Sequence, residues 1–109
     1  MSSIIAEPSS LTAPTFGSRT AVARVLLTLT ERFADLPVPY ITVYKTGVAQ
    51  LRVQLDSPAE FEAWRAVLEV PTDAVALQRH AGGGWLEAKT VFAGVTVDLT
   101  GHGIAAVAS

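Results

Sequence analysis

Two histidines are the first residues of this 109-residue chain that could do chemistry. His80 lies just before a run of glycines, and His102 lies between two glycines, close in sequence to Asp98. Imidazole and carboxylate groups together can ligate several divalent metal ions. A metal site would normally show more ligands at defined spacing. We therefore expect two surface histidines in turns, with no bound metal and no cofactor.

Other familiar catalytic patterns are weak. The chain has no Cys, and neither His lies in a recognisable motif with a nucleophile and an orienting acid. Glu60 and Glu62 point to different sides of a predicted helix, which is typical of a solvated face. The run Gly82-Gly83-Gly84 is predicted to join two strands and lacks the Gly-Lys-Ser/Thr ending of a phosphate-binding loop. The sequence therefore assigns no catalytic residue, and enzymatic activity is uncertain, leaning towards none.

The composition limits the class of protein. Hydrophobic residues make up 50% of the chain, the formal net charge is -2 and the mean hydropathy is +0.38. No apolar run approaches the roughly 18 residues that a membrane span needs. These figures exclude a collagen, a disulfide scaffold and a strongly basic nucleic-acid module. The start of the chain lacks the basic and apolar regions of a secretory signal, so we expect a cytoplasmic protein.

The chain is predicted to hold one domain with a tail. Residues 1–16 are rich in Ser, Thr and Pro and predict a flexible N-terminal tail. The apolar residues of this tail could dock on the domain or on a partner; they are Ile4, Ile5, Leu11 and Phe16. Residues 17–109 are predicted to form a single α+β domain.

The first element of that domain is predicted to be an amphipathic helix. Apolar residues recur at steps of three and four, which places them on one helical face; they are Val22, Val25, Leu26, Leu29, Phe33 and Leu36. Ser18 is the predicted N-cap, and Pro37 and Pro39 are expected to stop the helix. Leu27 lies off this stripe, either as a lone exposed Leu or as a subunit contact.

Strict alternation then predicts a β-hairpin. Residues 40–45 and 48–55 alternate between apolar and polar side chains around Gly47, which can supply a positive φ for the turn. The predicted inward residues are Ile41, Val43, Ala49, Leu51, Val53 and Leu55, and the outward residues are Tyr40, Thr42, Tyr44, Gln50, Arg52 and Gln54.

A second helix and three further strands complete the pattern. Ser57 as N-cap, Pro58 at the first helical position and Glu60 in a capping box predict a helix that ends before Pro71. Its core anchors are predicted to be Phe61 and Trp64. Strands are expected at 74–79, 85–92 and 95–100, and residues 104–108 could add an edge strand. The order α-β-β-α-β-β-β predicts a two-layer α+β domain, with two helices on one face of an antiparallel sheet of about five strands.

The opposite sheet face carries the residues most suited to binding. Aromatic and Arg side chains on an open sheet can bind proteins or stack bases. The outward side chains predicted for this face are Tyr40, Tyr44, Gln50, Arg52, Trp85, Lys89 and Thr96. An inert exposed face is the remaining alternative.

One segment resembles a known group. The phrase Leu-Arg-Val-Gln-Leu-Asp-Ser-Pro-Ala-Glu-Phe-Glu-Ala-Trp-Arg, residues 51–65, resembles segments of small uncharacterised proteins from streptomycetes and related actinomycetes. The resemblance implies a cytoplasmic accessory protein and transfers no catalytic residue.

These observations favour a non-enzymatic cytoplasmic protein-interaction or regulatory accessory module that binds a protein partner or self-associates as a homodimer, and they disfavour binding to a membrane or to nucleic acid. Its predicted partner-binding residues are Tyr40, Tyr44, Arg52, Trp85, Lys89 and Leu27. Two alternatives stay open, namely a ligand-binding or enzymatic domain with a pocket between helices and sheet, and a domain that binds single-stranded nucleic acid on the open sheet face.

Overall fold

A computed structural model describes residues 14–104 of the chain. It contains two α-helices, α1 (Thr20–Arg32) and α2 (Pro58–Val67), and five strands, β1 (Tyr40–Val43), β2 (Gln50–Leu55), β3 (Ala76–His80), β4 (Gly83–Phe92) and β5 (Val95–Ile104). Single turns of 3-10 helix occupy Phe16–Arg19 and Thr72–Ala74. The α+β class and the element order predicted from the sequence are confirmed.

The five strands form one sheet in the order β1-β2-β5-β4-β3. The β1-β2 hairpin and the β3-β4-β5 meander are antiparallel, as predicted. The two units join where β2 runs parallel to β5, so the sheet is mixed and the expectation of an antiparallel sheet fails at this one pair. The parallel pair arises because α2 carries the chain to the far edge, and the meander then returns β5 to the centre.

Both helices lie on the same face of the sheet. Val22, Val25 and Leu29 of α1 and Phe61 and Trp64 of α2 belong to one buried cluster. The cluster also contains alternate residues of the adjacent strands β2 and β5, namely Leu51, Val53, Leu55, Val95, Val97 and Leu99. Because alternate strand residues point to opposite faces, the helices and these residues fill a single core between two layers.

The first helix begins and ends differently from the prediction. The Ser18 hydroxyl donates to the Thr15 carbonyl at 2.6 Å, inside the 3-10 turn, and the N-cap of α1 is Arg19, which makes no side-chain capping bond. The helix ends at Arg32, before the prolines. Phe33 leaves the helix and packs edge-on against Phe92 of β4, with ring centroids 6.3 Å apart. Helix α1 therefore ends before the chain reaches Pro37, and the proline is not the residue that stops it.

The second helix follows its predicted signals. Ser57 is the N-cap and its hydroxyl accepts from the Glu60 backbone N–H at 3.2 Å, with Pro58 at the first helical position. The Glu60 carboxylate accepts from the Asp56 backbone N–H, one residue earlier than a standard capping box. Trp64 anchors the helix, because its indole N–H donates to the Pro37 carbonyl at 3.0 Å.

Several turns and strand ends refine the prediction. Gly47 has the expected positive φ, and Ala93 and Gly94 both have positive φ, which defines a type I′ turn between β4 and β5. Gly83 and Gly84 belong to β4 rather than to a turn.

The predicted tail and edge strand fall partly outside the described residues. Residues 1–13 of the tail and residues 105–108 of the proposed edge strand lie there, whereas Ile104 is the last residue of β5. Within residues 14–104, no helix is long and apolar enough to cross a bilayer.

Candidate interaction surface

The second face of the sheet, which we call the open face, has no helix over it in the part of the chain that the structure describes. The strand register shows which side chains are neighbours on this face, and most of them are polar or aromatic. Its residues are Tyr40 and Thr42 of β1, Gln50, Arg52 and Gln54 of β2, Thr96, Asp98, Thr100 and His102 of β5, Trp85, Glu87, Lys89 and Val91 of β4, and Ala76 and Gln78 of β3.

A row of charged residues crosses the centre of the open face. Arg52 on β2 and Lys89 on β4 are both in register with Asp98 on β5. Asp98 is only 2% exposed, whereas the Arg52 side chain is 41% exposed, and one guanidinium nitrogen lies 3.5 Å from an Asp98 carboxylate oxygen. Arg52 offsets part of the cost of burying this carboxylate, whereas Lys89 is exposed and only shares its register.

Three buried polar atoms on this face have no hydrogen-bond partner among residues 14–104. They are Nε of Arg52, Oδ1 of Asp98 and Oγ1 of Thr100. Asp98 and Thr100 are two residues apart on the same strand, so their side chains are neighbours on one face. Most buried side-chain polar atoms in folded proteins have a partner, and a buried group left without one costs roughly 1–3 kcal/mol. These atoms lie beneath the surface of the open face, so neighbouring side chains would have to move before a partner could reach them.

Tyrosines lie along the β1 side of the open face. Tyr40 is 67% exposed and is in register with Gln54. Tyr44 follows β1 and is partly buried, and the Arg52 guanidinium lies 5.7 Å from the centre of its ring. The Arg52 guanidinium therefore lies between the Tyr44 ring, with which it makes a cation–π contact, and the Asp98 carboxylate. Tyr44 therefore positions the charged row, and Tyr40 presents apolar surface beside it.

An aromatic stack occupies the opposite corner. The Trp85 ring lies 5.5 Å from the His80 ring and 6.4 Å from the His102 ring, measured between centroids. His80 Nδ1 accepts a hydrogen bond from the Gly82 backbone N–H. The expectation that both histidines lie in turns is wrong, because His80 belongs to β3 and His102 to β5. Their rings flank the Trp85 indole on the strand between them. No cluster of three His, Asp or Glu side chains suited to a metal ion occurs within residues 14–104.

The structure brings together five of the six residues predicted to bind a partner. Tyr40, Arg52, Trp85 and Lys89 lie on the open face, and Tyr44 contacts Arg52 at its edge. Leu27 lies on α1 and is 58% exposed, but it belongs to the helical layer and does not join them.

Asp98 and Thr100 are the residues that sequence reasoning undervalued. Both alternate along their strand with the apolar residues Val95, Val97 and Leu99, a pattern that predicts an outward position for each of them. It gave no sign that Arg52 would lie beside Asp98, because β2 and β5 are far apart along the chain.

An apolar groove runs between α1 and β1 in the other layer. One end of it, about 300 Å³ in volume, has Thr30 as its only polar side chain apart from the Trp64 indole. The side chains that line it include no ionisable group, so this end offers no general acid or base.

Comparisons with protein-family models, with curated proteins and with solved structures found no match for the chain.

Proposed function

We propose that this protein is a non-enzymatic, cytoplasmic interaction module that forms a homodimer through the open face of its sheet. The observation that carries the proposal is the open face itself, which no other described element covers and on which exposed Tyr40 and Val91 lie on either side of the charged row.

The charges of the open face favour a second copy as the partner. The face carries two cations, Arg52 and Lys89, and two carboxylates, Asp98 and Glu87. A face with both signs is complementary to itself when two copies meet about a two-fold axis, which is the commonest symmetry of homo-oligomers. Exposed Tyr40 and Val91 lie to either side of the charged row and supply apolar area that a partner would bury.

The same charges disfavour single-stranded nucleic acid. Tyr44 with Arg52 and the Trp85 stack offer surfaces on which bases could lie. However, Asp98 and Glu87 lie among them, and the phosphate backbone needs a basic track. A ligand pocket between helices and sheet is also a weaker candidate, because the groove there lacks the convergent polar groups of a binding site.

Sedimentation equilibrium on the full chain tests the proposal. We expect a reversible dimer whose dissociation constant rises about tenfold in Tyr40→Ala and in Val91→Ser, because each removes exposed apolar surface from the proposed interface. Leu27→Ala is the matched control, since Leu27 is similarly exposed but lies in the helical layer.

Two results would contradict the proposal. A strictly monomeric chain at its highest soluble concentration would exclude the homodimer. A dimer weakened by Leu27→Ala and not by the two open-face variants would place the interface elsewhere. Binding of a single-stranded oligonucleotide at low salt, lost in Tyr40→Ala, would favour the nucleic-acid alternative.

A further inference from the structure

The groove between α1 and β1 is apolar surface that no other part of residues 14–104 covers. It consists of two adjacent pockets, here called its two ends, which share Leu26 and have volumes of about 400 and 300 Å³; Arg19, at the first end, is the only charged side chain among their described lining residues. Phe16, which is 94% exposed, and Val43 line the first end, and Val38, which is 91% exposed, lines the second. Contiguous exposed apolar surface of this kind commonly marks a docking site.

The path of the chain points to what fills the groove. The described residues begin at Pro14, two residues before Phe16. Residues 1–13 therefore enter the domain at the rim of the first end. This segment carries three large aliphatic residues, Ile4, Ile5 and Leu11, and a single charged residue, Glu7.

The length of the segment matches the length of the groove. Helix α1 has 13 residues and is therefore about 20 Å long at 1.5 Å per residue. An extended segment reaches up to about 25 Å between Ile4 and Leu11 at 3.3–3.6 Å per residue. With Leu11 at the end nearest Phe16, the two isoleucines can reach the end lined by Val38.

We propose that residues 1–13 fold back along the groove between α1 and β1, with Leu11 against Val43 and with Ile4 and Ile5 near Val38. Each aliphatic side chain then leaves water and covers apolar surface that the domain exposes. The segment runs beside edge strand β1 and covers it. The groove lies in the helical layer, so this docking is independent of the open face and of the proposed dimer.

Engineered disulfides in the full chain test the docking directly, because the chain has no Cys of its own. We compare Leu11→Cys/Val43→Cys with Leu11→Cys/Leu27→Cys under oxidised glutathione. Val43 and Leu27 are similarly exposed, at 43% and 58%, but only Val43 lines the groove. We expect the intramolecular disulfide with Val43 to form about tenfold faster, because docking raises the effective concentration of the two thiols.

Each other outcome overturns the docking. Equal rates for the two pairs would show a segment with no preferred position. Disulfide-linked dimers formed in place of the intramolecular bond would assign the groove to a second copy.

A stability measurement on another variant supplies an independent readout. Ile4→Ser/Ile5→Ser should lower the urea midpoint of the full chain, whereas Ser9→Ala/Ser10→Ala, in the same segment, should leave it unchanged. A midpoint unaffected by the isoleucine substitutions would contradict the docking even if the disulfide formed.

Discussion

Gly101 lies directly under the Phe61 ring. A Cβ atom added at Gly101 would stand 2.6 Å from the Phe61 Cβ and 2.9 Å from its Cδ2. Real Cβ atoms do not approach so closely, so the absence of a side chain at Gly101 is what lets α2 lie close to β5. The contact fixes the helix over the centre of the sheet and leaves the open face as the exposed side of that strand.

Gly101→Ala should therefore destabilise the protein by about 1–3 kcal/mol, because the added methyl group overpacks the core and pushes α2 away from β5. Urea denaturation measures the change in the free energy of unfolding. Gly17→Ala is the control, since the nearest atom to its added Cβ is 3.9 Å away, and it should stay within about 0.5 kcal/mol of the parent. Equal stabilities for the two variants would show that α2 moves without cost.

Ser57→Ala should destabilise the protein by about 1 kcal/mol, because the Glu60 backbone N–H loses its acceptor at the start of α2. Ser18→Ala is the matched control: its hydroxyl is exposed and caps no α-helix, so we expect a change below about 0.5 kcal/mol. Thermal unfolding followed by circular dichroism distinguishes the two. A larger loss in Ser18→Ala would mean that the 3-10 turn is essential for α1.

These two serines show how far the sequence could predict the helices. The signals for α2 are local, because Ser57, Pro58 and Glu60 lie within four residues of one another, and the helix begins where they predict. Ser18 has the same residue type, but a 3-10 turn precedes α1 and redirects its hydroxyl to the Thr15 carbonyl. Helix α1 ends at Arg32, and the next residue, Phe33, packs against Phe92 of β4, a contact that no local pattern could reveal.

For the sheet too, local patterns predicted some features and long-range contacts decided the others. Alternation correctly placed Arg52 and Asp98 on the open face, because strand residues alternate with a period of two. The parallel pairing of β2 with β5 brings these residues together from positions 46 apart in the chain. Periodicity fixes the face of a residue but not its neighbouring strand, so the face on which Arg52 and Lys89 lie could be predicted and the contact between Arg52 and Asp98 could not.

Glu69→Gly should stabilise the protein by about 1 kcal/mol. Glu69 has a φ of 59°, and its N–H and that of Val70 donate to the Ala66 and Arg65 carbonyls, which forms a Schellman motif at the end of α2. A left-handed conformation costs a residue with a Cβ roughly 1–2 kcal/mol, and glycine avoids most of this cost. Ala66→Gly, inside the same helix, should instead destabilise by about 1 kcal/mol. Urea unfolding of both variants must therefore give changes of opposite sign.

Arg52→Ala should destabilise the monomer by about 2 kcal/mol, because it leaves the buried Asp98 carboxylate without its closest cation. The long 3.5 Å contact and the partial exposure of Arg52 keep this value below the loss expected for a fully buried ion pair.

A double-mutant cycle with Asp98→Ala isolates the interaction, and urea unfolding at a concentration where the chain is monomeric should give a coupling energy of about 1 kcal/mol. Lys89→Ala is the control, since Lys89 is in register with Asp98 from the other side but is exposed. Its coupling to Asp98→Ala should be less than half as large. A coupling near zero for Arg52 would mean that the two side chains are held in place by their neighbours, Tyr44 among them, rather than by each other.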